Sequence, residues 1–234
     1  MLEVQDIHSY YGSSYILQGI SLSVKEGEIV SLIGRNGVGK TTTLKSIMGI
    51  IRPARGSIKY KGTEICNLNP FKIARLGIGY VPEDRRIYPQ LTLKENLEIA
   101  QVRSNLGEKR WNLEKIYELF PQLKAIGERR LGSNMSGGEQ QMLSIARTLM
   151  GNPEFILLDE PSEGLGPLVV SMLANAVNKI KKEGVNMLLS EQNMRFAIKT
   201  TTRAYVIDGG KIFFEGTIED LQKNEEVMKK HIIL

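Results

Sequence analysis

A glycine-rich loop between a predicted strand and a predicted helix constrains this chain more than any other feature. Residues 34–41, Gly-Arg-Asn-Gly-Val-Gly-Lys-Thr, fit the pattern G-x-x-x-x-G-K-[ST]. A β-branched run ending at Ile33 precedes the loop, and a helix is predicted from roughly Thr41 to Met48. The match in this context predicts a phosphate-binding loop. The alternative, a glycine-rich turn that binds nothing, is disfavoured because the match extends over the whole pattern and its context.

The chemistry of the loop explains its residue types. Glycines let main-chain N–H groups converge on a phosphate, and the helix N-terminus favours an anion. Lys40 supplies a positive charge to the β- and γ-phosphates, and the Thr41 hydroxyl is placed to ligate Mg²⁺. The predicted nucleotide-binding residues here are Gly34, Arg35, Asn36, Gly37, Val38, Gly39, Lys40, Thr41 and Thr42.

Two acids follow a second buried strand. Phe155–Leu158 is a continuous apolar run, and Asp159 and Glu160 come directly after it. A carboxylate at such a strand end is costly unless it meets a cation or hydrogen-bond donors. We expect Asp159 to bind Mg²⁺ and Glu160 to activate the attacking water. Two solvated loop acids would be the better interpretation if the phosphate loop were absent.

The order of predicted elements indicates an α/β fold with a mostly parallel sheet. Short strands near the N-terminus, among them Leu2–Val4 and Ile20–Val24, predict a small antiparallel β part. Buried strands are predicted at Ile78–Val81 and Asn186–Leu189, and a short helix capped by Asn69 precedes the first of them. Asp208-Gly209-Gly210 predicts a hairpin turn. From Thr92 to Met150 the signals are helical, with capping-box patterns beginning at Thr92 and at Ser136, and residues 88–150 are taken as a helical insertion. We therefore predict one domain, in which a nucleotide-binding core of residues 1–87 and 151–234 is interrupted by a helical insertion.

Composition excludes several classes of protein. Lys plus Arg is 31 and Asp plus Glu is 26, so the net charge is +5, but no basic run exceeds two residues. An electrostatic nucleic-acid footprint is therefore not indicated. The single Cys66 argues against an internal disulfide framework, and no secretory signal or membrane span is predicted.

The segment Met135-Ser136-Gly137-Gly138-Glu139-Gln140-Gln141 lies between the two site motifs. With it, the sequence resembles the ATP-binding subunits of ABC transporters, whose signature is close to L-S-G-G-Q. The motif order is also theirs, over essentially the whole chain. Ser136-x-x-Glu139 is equally a capping box for the helix that follows, and both interpretations can hold.

The resemblance implies a P-loop NTPase core of the ABC ATPase type that uses ATP with Mg²⁺. It implies that Ser136, Gly137, Gly138 and Glu139 meet the γ-phosphate of ATP held by a second ATPase subunit, in a head-to-tail dimer. A heterodimer is expected, with a homodimer as the alternative in isolation. Tyr11, next to Gly12, resembles the family's adenine-stacking aromatic residue and is favoured over Tyr10.

Three further segments are similar to one of the two ATPase subunits of branched-chain amino acid importers. These segments are residues 80–89, residues 159–165 and residues 190–193. The similarity implies two integral membrane permease chains as partners, an extracytoplasmic binding protein as an indirect partner, and a peripheral position on the cytoplasmic face of the membrane. Branched-chain amino acids are the expected substrate, with other amino acids, urea or short amides as rivals.

Three positions depart from the broad family pattern. Glu83 stands where most members have glutamine, and it is expected to ligate Mg²⁺ while adding negative charge. Gln192 stands where most have the catalytic switch histidine, and an amide cannot become cationic. Gly166 replaces an aspartate that normally helps the two subunits communicate. These departures suggest that the site on this chain hydrolyses ATP more slowly than the site on its partner.

Two other functions compete with the transport motor. A soluble ABC-type ATPase for DNA repair or translation would usually carry a long coiled-coil insertion or two fused cassettes, for which this chain has no room. No nucleic-acid partner is therefore expected. A module that holds ATP with little turnover is opposed by Glu160, while Glu83 and Gln192 keep it open.

Overall fold

The computed structural model of the protein describes residues 1–101 and 111–232. Residues 102–110, which belong to the predicted helical insertion, and residues 233–234 lie outside the described residues. Within the described residues, no helix is both long enough and apolar enough to span a membrane.

Two sheets organise the described part of the chain. The central sheet has six strands in the order β10-β9-β3-β8-β7-β6, and every neighbouring pair is parallel except β9 and β10. The second sheet is antiparallel, in the order β2-β1-β4-β5. The strands are β1 (Leu2–Tyr11), β2 (Ser14–Val24), β3 (Ile29–Ile33), β4 (Arg55–Tyr60), β5 (Thr63–Glu64), β6 (Ile78–Val81), β7 (Phe155–Asp159), β8 (Asn186–Glu191), β9 (Arg203–Asp208) and β10 (Lys211–Thr217).

Helices cover the central sheet and fill most of the described part of the insertion. They are α1 (Lys40–Ile47), α2 (Pro70–Arg75), α3 (Leu93–Glu98), α4 (Leu113–Leu119), α5 (Pro121–Ile126), α6 (Gly137–Met150), α7 (Pro167–Lys182), α8 (Met194–Thr200), α9 (Ile218–Lys223) and α10 (Glu225–Val227). A single 3₁₀ turn, Gly132–Asn134, precedes α6, and a π-helical turn, Met228–Ile232, follows α10.

The core lies on both faces of the central sheet, so its inner strands are buried along their whole length. Successive residues of β7 alternate between the faces. Ile156 and Leu158 join a cluster that includes residues of α3 to α7, whereas Phe155 and Leu157 join one with α1 and the antiparallel sheet. The helical insertion therefore shares a hydrophobic core with the sheet.

The α/β fold with a mostly parallel sheet and a small antiparallel sheet is confirmed. The predicted strand at Ile78–Val81 has the observed bounds, and the predicted caps Thr92 and Ser136 form complete capping boxes. The predicted cap at Asn69 occupies the N-cap position, but its side chain makes no capping hydrogen bond.

The first two strands are longer than the sequence predicted. Irregular pairing interrupts β1 between Val4 and His8, and Asp6 has a φ of 47°. Such β-bulges disturb the alternation of apolar and polar residues on which strand prediction depends. The predicted hairpin turn at Gly209 and Gly210 is present, and both glycines have positive φ, as a type I′ turn requires.

Candidate functional site

The phosphate loop connects the carboxyl end of β3 to the amino end of α1, as predicted. Two positions need glycine for different reasons. Gly39, the N-cap of α1, has a φ of 114°, which side chains rarely adopt. A Cβ at Gly34 would lie 2.4 Å from the carbonyl oxygen of Ile207 on β9. The glycines thus let the loop lie close against the neighbouring strand.

Lys40, the first residue of α1, has only 4% of its surface exposed. Its Nζ donates to the carbonyl oxygens of Gly34 and Arg35, both at 2.7 Å. The same nitrogen lies 2.8 Å from Glu160 Oε1, in an ion pair rather than a well-directed hydrogen bond. Three oxygens therefore surround the ammonium group.

Asp159, at the end of β7, is fully buried and accepts three hydrogen bonds. Its Oδ1 accepts from Thr41 Oγ1 at 3.0 Å and from the Ser190 hydroxyl, and its Oδ2 accepts from Tyr80 at 3.0 Å. Burial, together with Asp159, raises the pKa of the Tyr80 hydroxyl, which therefore remains a donor at neutral pH. Asp159 is thus held directly beside the loop threonine.

Glu160 follows in a left-handed conformation, with a φ of 45°, and is 6% exposed. Its main-chain N–H donates to both the carbonyl and the hydroxyl oxygen of Ser190 at 3.1 Å. Its Oε2 accepts from the Gln192 main-chain N–H at 3.2 Å. Burial raises the pKa of the Glu160 carboxyl, while the contact with Lys40 opposes that rise.

A cavity of about 520 Å³ opens beside these groups. Of the predicted site residues, those that line it are Tyr11, Asn36, Gly37, Gly39, Lys40, Thr41, Thr42, Glu83 and Glu160. Tyr11 is 67% exposed, so one face of its ring is available, whereas Tyr10 stacks on Tyr15 with ring centroids 4.8 Å apart. Tyr11 lines the cavity and Tyr10 does not, and the stacking of adenine on Tyr11 stays a prediction.

Gly34, Arg35 and Val38 are predicted nucleotide-binding residues that do not line this cavity. Gly34 packs against β9, and the Val38 carbonyl accepts from the Gly210 N–H at 3.0 Å. The Arg35 guanidinium donates to the carbonyl oxygen of Lys230 at 3.4 Å, so it connects the loop to the C-terminal turn.

Glu83 borders both this cavity and an adjoining one of about 430 Å³ that also contains Asp159 and Thr41. Burial raises the pKa of the Glu83 carboxyl, and the negative charges of Glu163, Asp159 and Glu160 raise it further. This concentration of carboxylates would be relieved by a bound cation.

The donor chemistry fits a hard divalent cation such as Mg²⁺. Thr41 and Asp159 present oxygens 3.0 Å apart, and Glu83 supplies another carboxylate at the edge of the same cavities. In residues 1–101 and 111–232, no three His, Cys, Asp or Glu side chains group tightly enough to hold a metal by themselves. The Thr41 hydroxyl and nucleotide phosphates would complete such a site.

The signature residues 136–139 do not line this cavity. They begin α6, where the Ser136 N–H donates to Glu139 Oε2 at 2.7 Å and the Glu139 N–H donates back to the Ser136 hydroxyl. Gly138 packs on Val169, since a Cβ there would lie 3.0 Å from a Val169 methyl group. Gly137 packs against the Arg85 guanidinium in the same way. On this chain, the signature is therefore separate from the phosphate loop.

Ser190, Tyr80 and Glu191 were not among the predicted site residues. Ser190 and Tyr80 hold Asp159, and Glu191 accepts hydrogen bonds from the segment after Glu160. A usable signal was present, since Ser190 and Glu191 are polar residues that directly follow a predicted buried strand. In parallel sheets, the carboxyl ends of strands form the ligand site.

Comparisons with known proteins agree with this geometry. The family profile described as ABC transporter matches residues 17–163. The chain is 41% identical to the high-affinity branched-chain amino acid transport ATP-binding protein BraG of Pseudomonas aeruginosa, and the match covers 99% of both chains. It is 35% identical to the lipopolysaccharide export system ATP-binding protein LptB of Haemophilus influenzae, over 99% of this chain and 97% of that protein.

Two solved structures have the same fold. The ADP conformation of the ATP-binding cassette MJ1267 superposes with a TM-score of 0.83 at 27% identity, covering 98% of this chain and 97% of that one. The dimeric post-hydrolysis state of the cassette MJ0796, bound to ADP and Pi, gives a TM-score of 0.79 at 26% identity, covering 93% of this chain and 99% of that one.

Proposed function

The chain belongs to the ABC transporter family as one of its ATP-binding cassettes, and on that premise we propose that it powers the import of branched-chain or related amino acids through separate membrane permease chains. Cassettes of this family hydrolyse ATP with a divalent metal, and the chain is such an ATPase. The observation that carries the ATPase activity is the convergence of Lys40, Thr41, Asp159 and Glu160 beside one cavity, and the 41% identity to BraG supports the substrate.

In this proposal ATP occupies the cavity next to the phosphate loop. The adenine stacks on the exposed face of Tyr11, and the phosphates accept hydrogen bonds from the main-chain N–H groups of residues 36–41. Lys40 turns from its carboxylate partner toward the β- and γ-phosphates. Because a phosphate carries more negative charge than a carboxylate, it competes effectively for the ammonium group.

Thr41, Asp159 and Glu83 would hold Mg²⁺ in this site. When bound, Mg²⁺ would neutralise the negative charge that develops during phosphoryl transfer. The chain's own contribution is to orient Asp159 through Thr41, Tyr80 and Ser190.

Glu160 acts as the general base. Its carboxyl has a raised pKa because it is buried, which makes it a stronger proton acceptor than an exposed carboxylate. The Gln192 N–H fixes one of its oxygens at 3.2 Å, and release of Lys40 to the phosphates frees the other oxygen to face a water molecule. Proton transfer to Glu160 then accompanies attack of the water on the γ-phosphorus, while the bond from that phosphorus to the β,γ-bridging oxygen breaks and ADP leaves.

A second ATPase subunit completes the site. The signature helix α6 begins with Gly137 and Gly138, and the amino end of a helix is a favourable place for an anion. Since residues 136–139 lie away from this chain's own phosphate loop, they would contact ATP held by the second subunit. The related cassette MJ0796 was solved as a dimer.

The permease-docking surface is a groove of about 420 Å³ between the core and the helical insertion. Its walls come from α2 and β6 on one side and from α6 on the other, and the half-exposed side chain of Ile50 lines it. Apolar residues in such a groove suit an amphipathic segment of a permease. Docking there would place the chain on the cytoplasmic face of the membrane as a peripheral subunit.

The test is transport by a reconstituted complex. Proteoliposomes with the two permeases, both ATPase subunits and the binding protein should take up radiolabelled leucine with ATP. Glu160→Gln in this chain should lower both ATPase activity and uptake, whereas Glu183→Gln, at an exposed carboxylate far from the cavity, should leave both unchanged. A wild-type complex that hydrolyses ATP without moving leucine, isoleucine or valine would refute the substrate. If it extracts lipopolysaccharide instead, the similarity to LptB would be the better guide.

The same complex tests the alternative of a cassette with little hydrolysis of its own. Gln192 and Glu83 favour slow turnover at this chain's site. The Gln192 amide cannot become cationic, and the Glu83 carboxylate adds negative charge. Glu160→Gln here should then reduce the ATPase rate less than the matching change in the partner subunit. Equal loss of ATPase activity and transport from both changes would contradict a slow site.

A further inference from the structure

We infer that Glu191 is a positioning residue for ATP hydrolysis, whose carboxylate fixes the segment 160–166 behind the general base Glu160. The inference rests on the proposed function, since it concerns the same site, but none of the functional assignments above includes this residue. It acts through Ser162 and does not touch the nucleotide cavity.

Glu191 is the last residue of β8 and is 0% exposed. Its Oε1 accepts from the Ser162 main-chain N–H at 3.1 Å. Its Oε2 accepts from the Ser162 hydroxyl at 3.0 Å and from the Asn193 N–H at 3.0 Å. Both oxygens are therefore used, and both groups of Ser162 that can donate are bound to one carboxylate.

This carboxylate has no cationic partner among the described residues. Burial raises its pKa to about 7, and the nearby charge of Glu160 contributes to the rise. Burying an acid without a cation is costly for folding. The three directed hydrogen bonds offset that cost only while the segment after Glu160 keeps its observed conformation.

The main chain of Glu191 is also hydrogen-bonded to the phosphate loop. Its main-chain carbonyl accepts from the Gly34 N–H at 3.2 Å, and the next residue, Gln192, donates its N–H to Glu160. Glu191 thus connects the first glycine of the phosphate loop, through β8, to the turn that carries the general base. Because Glu160 has a left-handed φ, its backbone needs neighbours that hold it in place.

A glutamine at position 191 would test this arrangement with little change of shape. An amide offers one acceptor oxygen and an NH₂ group, so it cannot accept from donors on both sides. At least one of the bonds to Ser162 or Asn193 would be replaced by two donors facing each other. Ser162→Ala is the complementary variant, since it removes the hydroxyl bond and keeps the main-chain bond.

The experiment compares the full-length wild type, Glu191→Gln, Ser162→Ala and Glu28→Gln, each assembled with its partner subunits. Glu28 is the matched control, because its carboxylate is also hydrogen-bonded, to the Lys25 N–H at 2.8 Å and to Arg203 at 2.8 Å, but lies before β3, at the end of that strand opposite the phosphate loop. Three quantities are measured: kcat, the Kd for ATP, and the amide hydrogen exchange of residues 160–166.

We expect Glu191→Gln to lower kcat at least about tenfold, with the Kd for ATP within about twofold of wild type, because small misplacements of a catalytic group have large effects on rate. The kcat of Ser162→Ala should lie between that of the wild type and that of Glu191→Gln. The Ser162 amide should exchange faster in Glu191→Gln. Glu28→Gln should lower thermal stability but leave kcat and the exchange of residues 160–166 unchanged.

Wild-type kcat in Glu191→Gln, or unchanged exchange at Ser162, would overturn the inference. So would a loss of ATP affinity equal to the loss of kcat. If the wild-type complex hydrolysed no ATP, the proposed function would fail. The exchange measurement needs no turnover, so it would still decide whether Glu191 holds Ser162.

Discussion

At the scale of single residues, the site depends on buried charged side chains that contact one another and the main chain. Lys40 is surrounded by two main-chain carbonyl oxygens and one oxygen of Glu160. An ammonium group in such a cage is already oriented, so little side-chain entropy remains to be lost when a phosphate replaces the carboxylate. The sequence predicted both residues, but their pairing across 120 positions of the chain was not predictable from local pattern.

Replacing Lys40 by alanine should lower the affinity for ATP by roughly 10- to 100-fold, because a charge-assisted hydrogen bond contributes about 1.5–3 kcal/mol. Isothermal calorimetry measures this directly. Lys59→Ala, on the outer antiparallel sheet, is the control and should bind ATP normally. Since Lys40→Ala leaves the buried Glu160 without its cation, circular dichroism should verify folding first. Undiminished ATP binding by a folded Lys40→Ala variant would refute the role of this lysine.

At the scale of elements, two helices of the insertion have the same kind of N-terminus. Both α3 and α6 begin with a capping box, Thr92 with Glu95 and Ser136 with Glu139. These boundaries were predictable because a cap depends on residues three apart. The extent of β1 was not, because bulges near Asp6 break its period. Only α6 combines the cap with glycines that bring its start close to Arg85 and Val169.

Comparing variants of the two capping boxes distinguishes the contribution of a cap to stability from its contribution to function. Ser136→Ala and Thr92→Ala should each lower the free energy of unfolding by about 1 kcal/mol, as loss of an N-cap usually does. Urea denaturation measures this. Only Ser136→Ala should also weaken ATP-dependent association with the second ATPase subunit, followed by analytical ultracentrifugation. Equal association of the two variants would show that the signature serine acts only as a cap.

At the scale of the whole molecule, a shared core connects the helical insertion to the sheet. The cluster that contains Ile156 and Leu158 also contains residues of α3 to α7, so a movement of the insertion must be accommodated by that core. The groove between α2, β6 and α6 lies at the junction of the core and the insertion. A partner bound there contacts both parts, which suits the transmission of a conformational change.

A charge placed in this groove should weaken permease binding. Ala74→Glu buries an unpaired carboxylate under the docked segment, so we expect association at least about tenfold weaker. Lys72→Glu, on the same short helix but not lining the groove, is the control. Co-purification with the permeases and ATP binding by the isolated chain are the two measurements. Loss of permease binding by both variants alike, or by neither, would argue against this groove.

The sequence by itself determined the phosphate loop, the acids Asp159 and Glu160, the caps and the alternation of strands and helices, because each depends on residues close together in the chain. The tertiary structure alone decided how these parts meet. Strand β8 lies between β3 and β7, and so brings Ser190, Glu191 and Gln192 between the phosphate loop and Glu160. The order of strands in a sheet is set by packing of the whole chain, which no local spacing encodes.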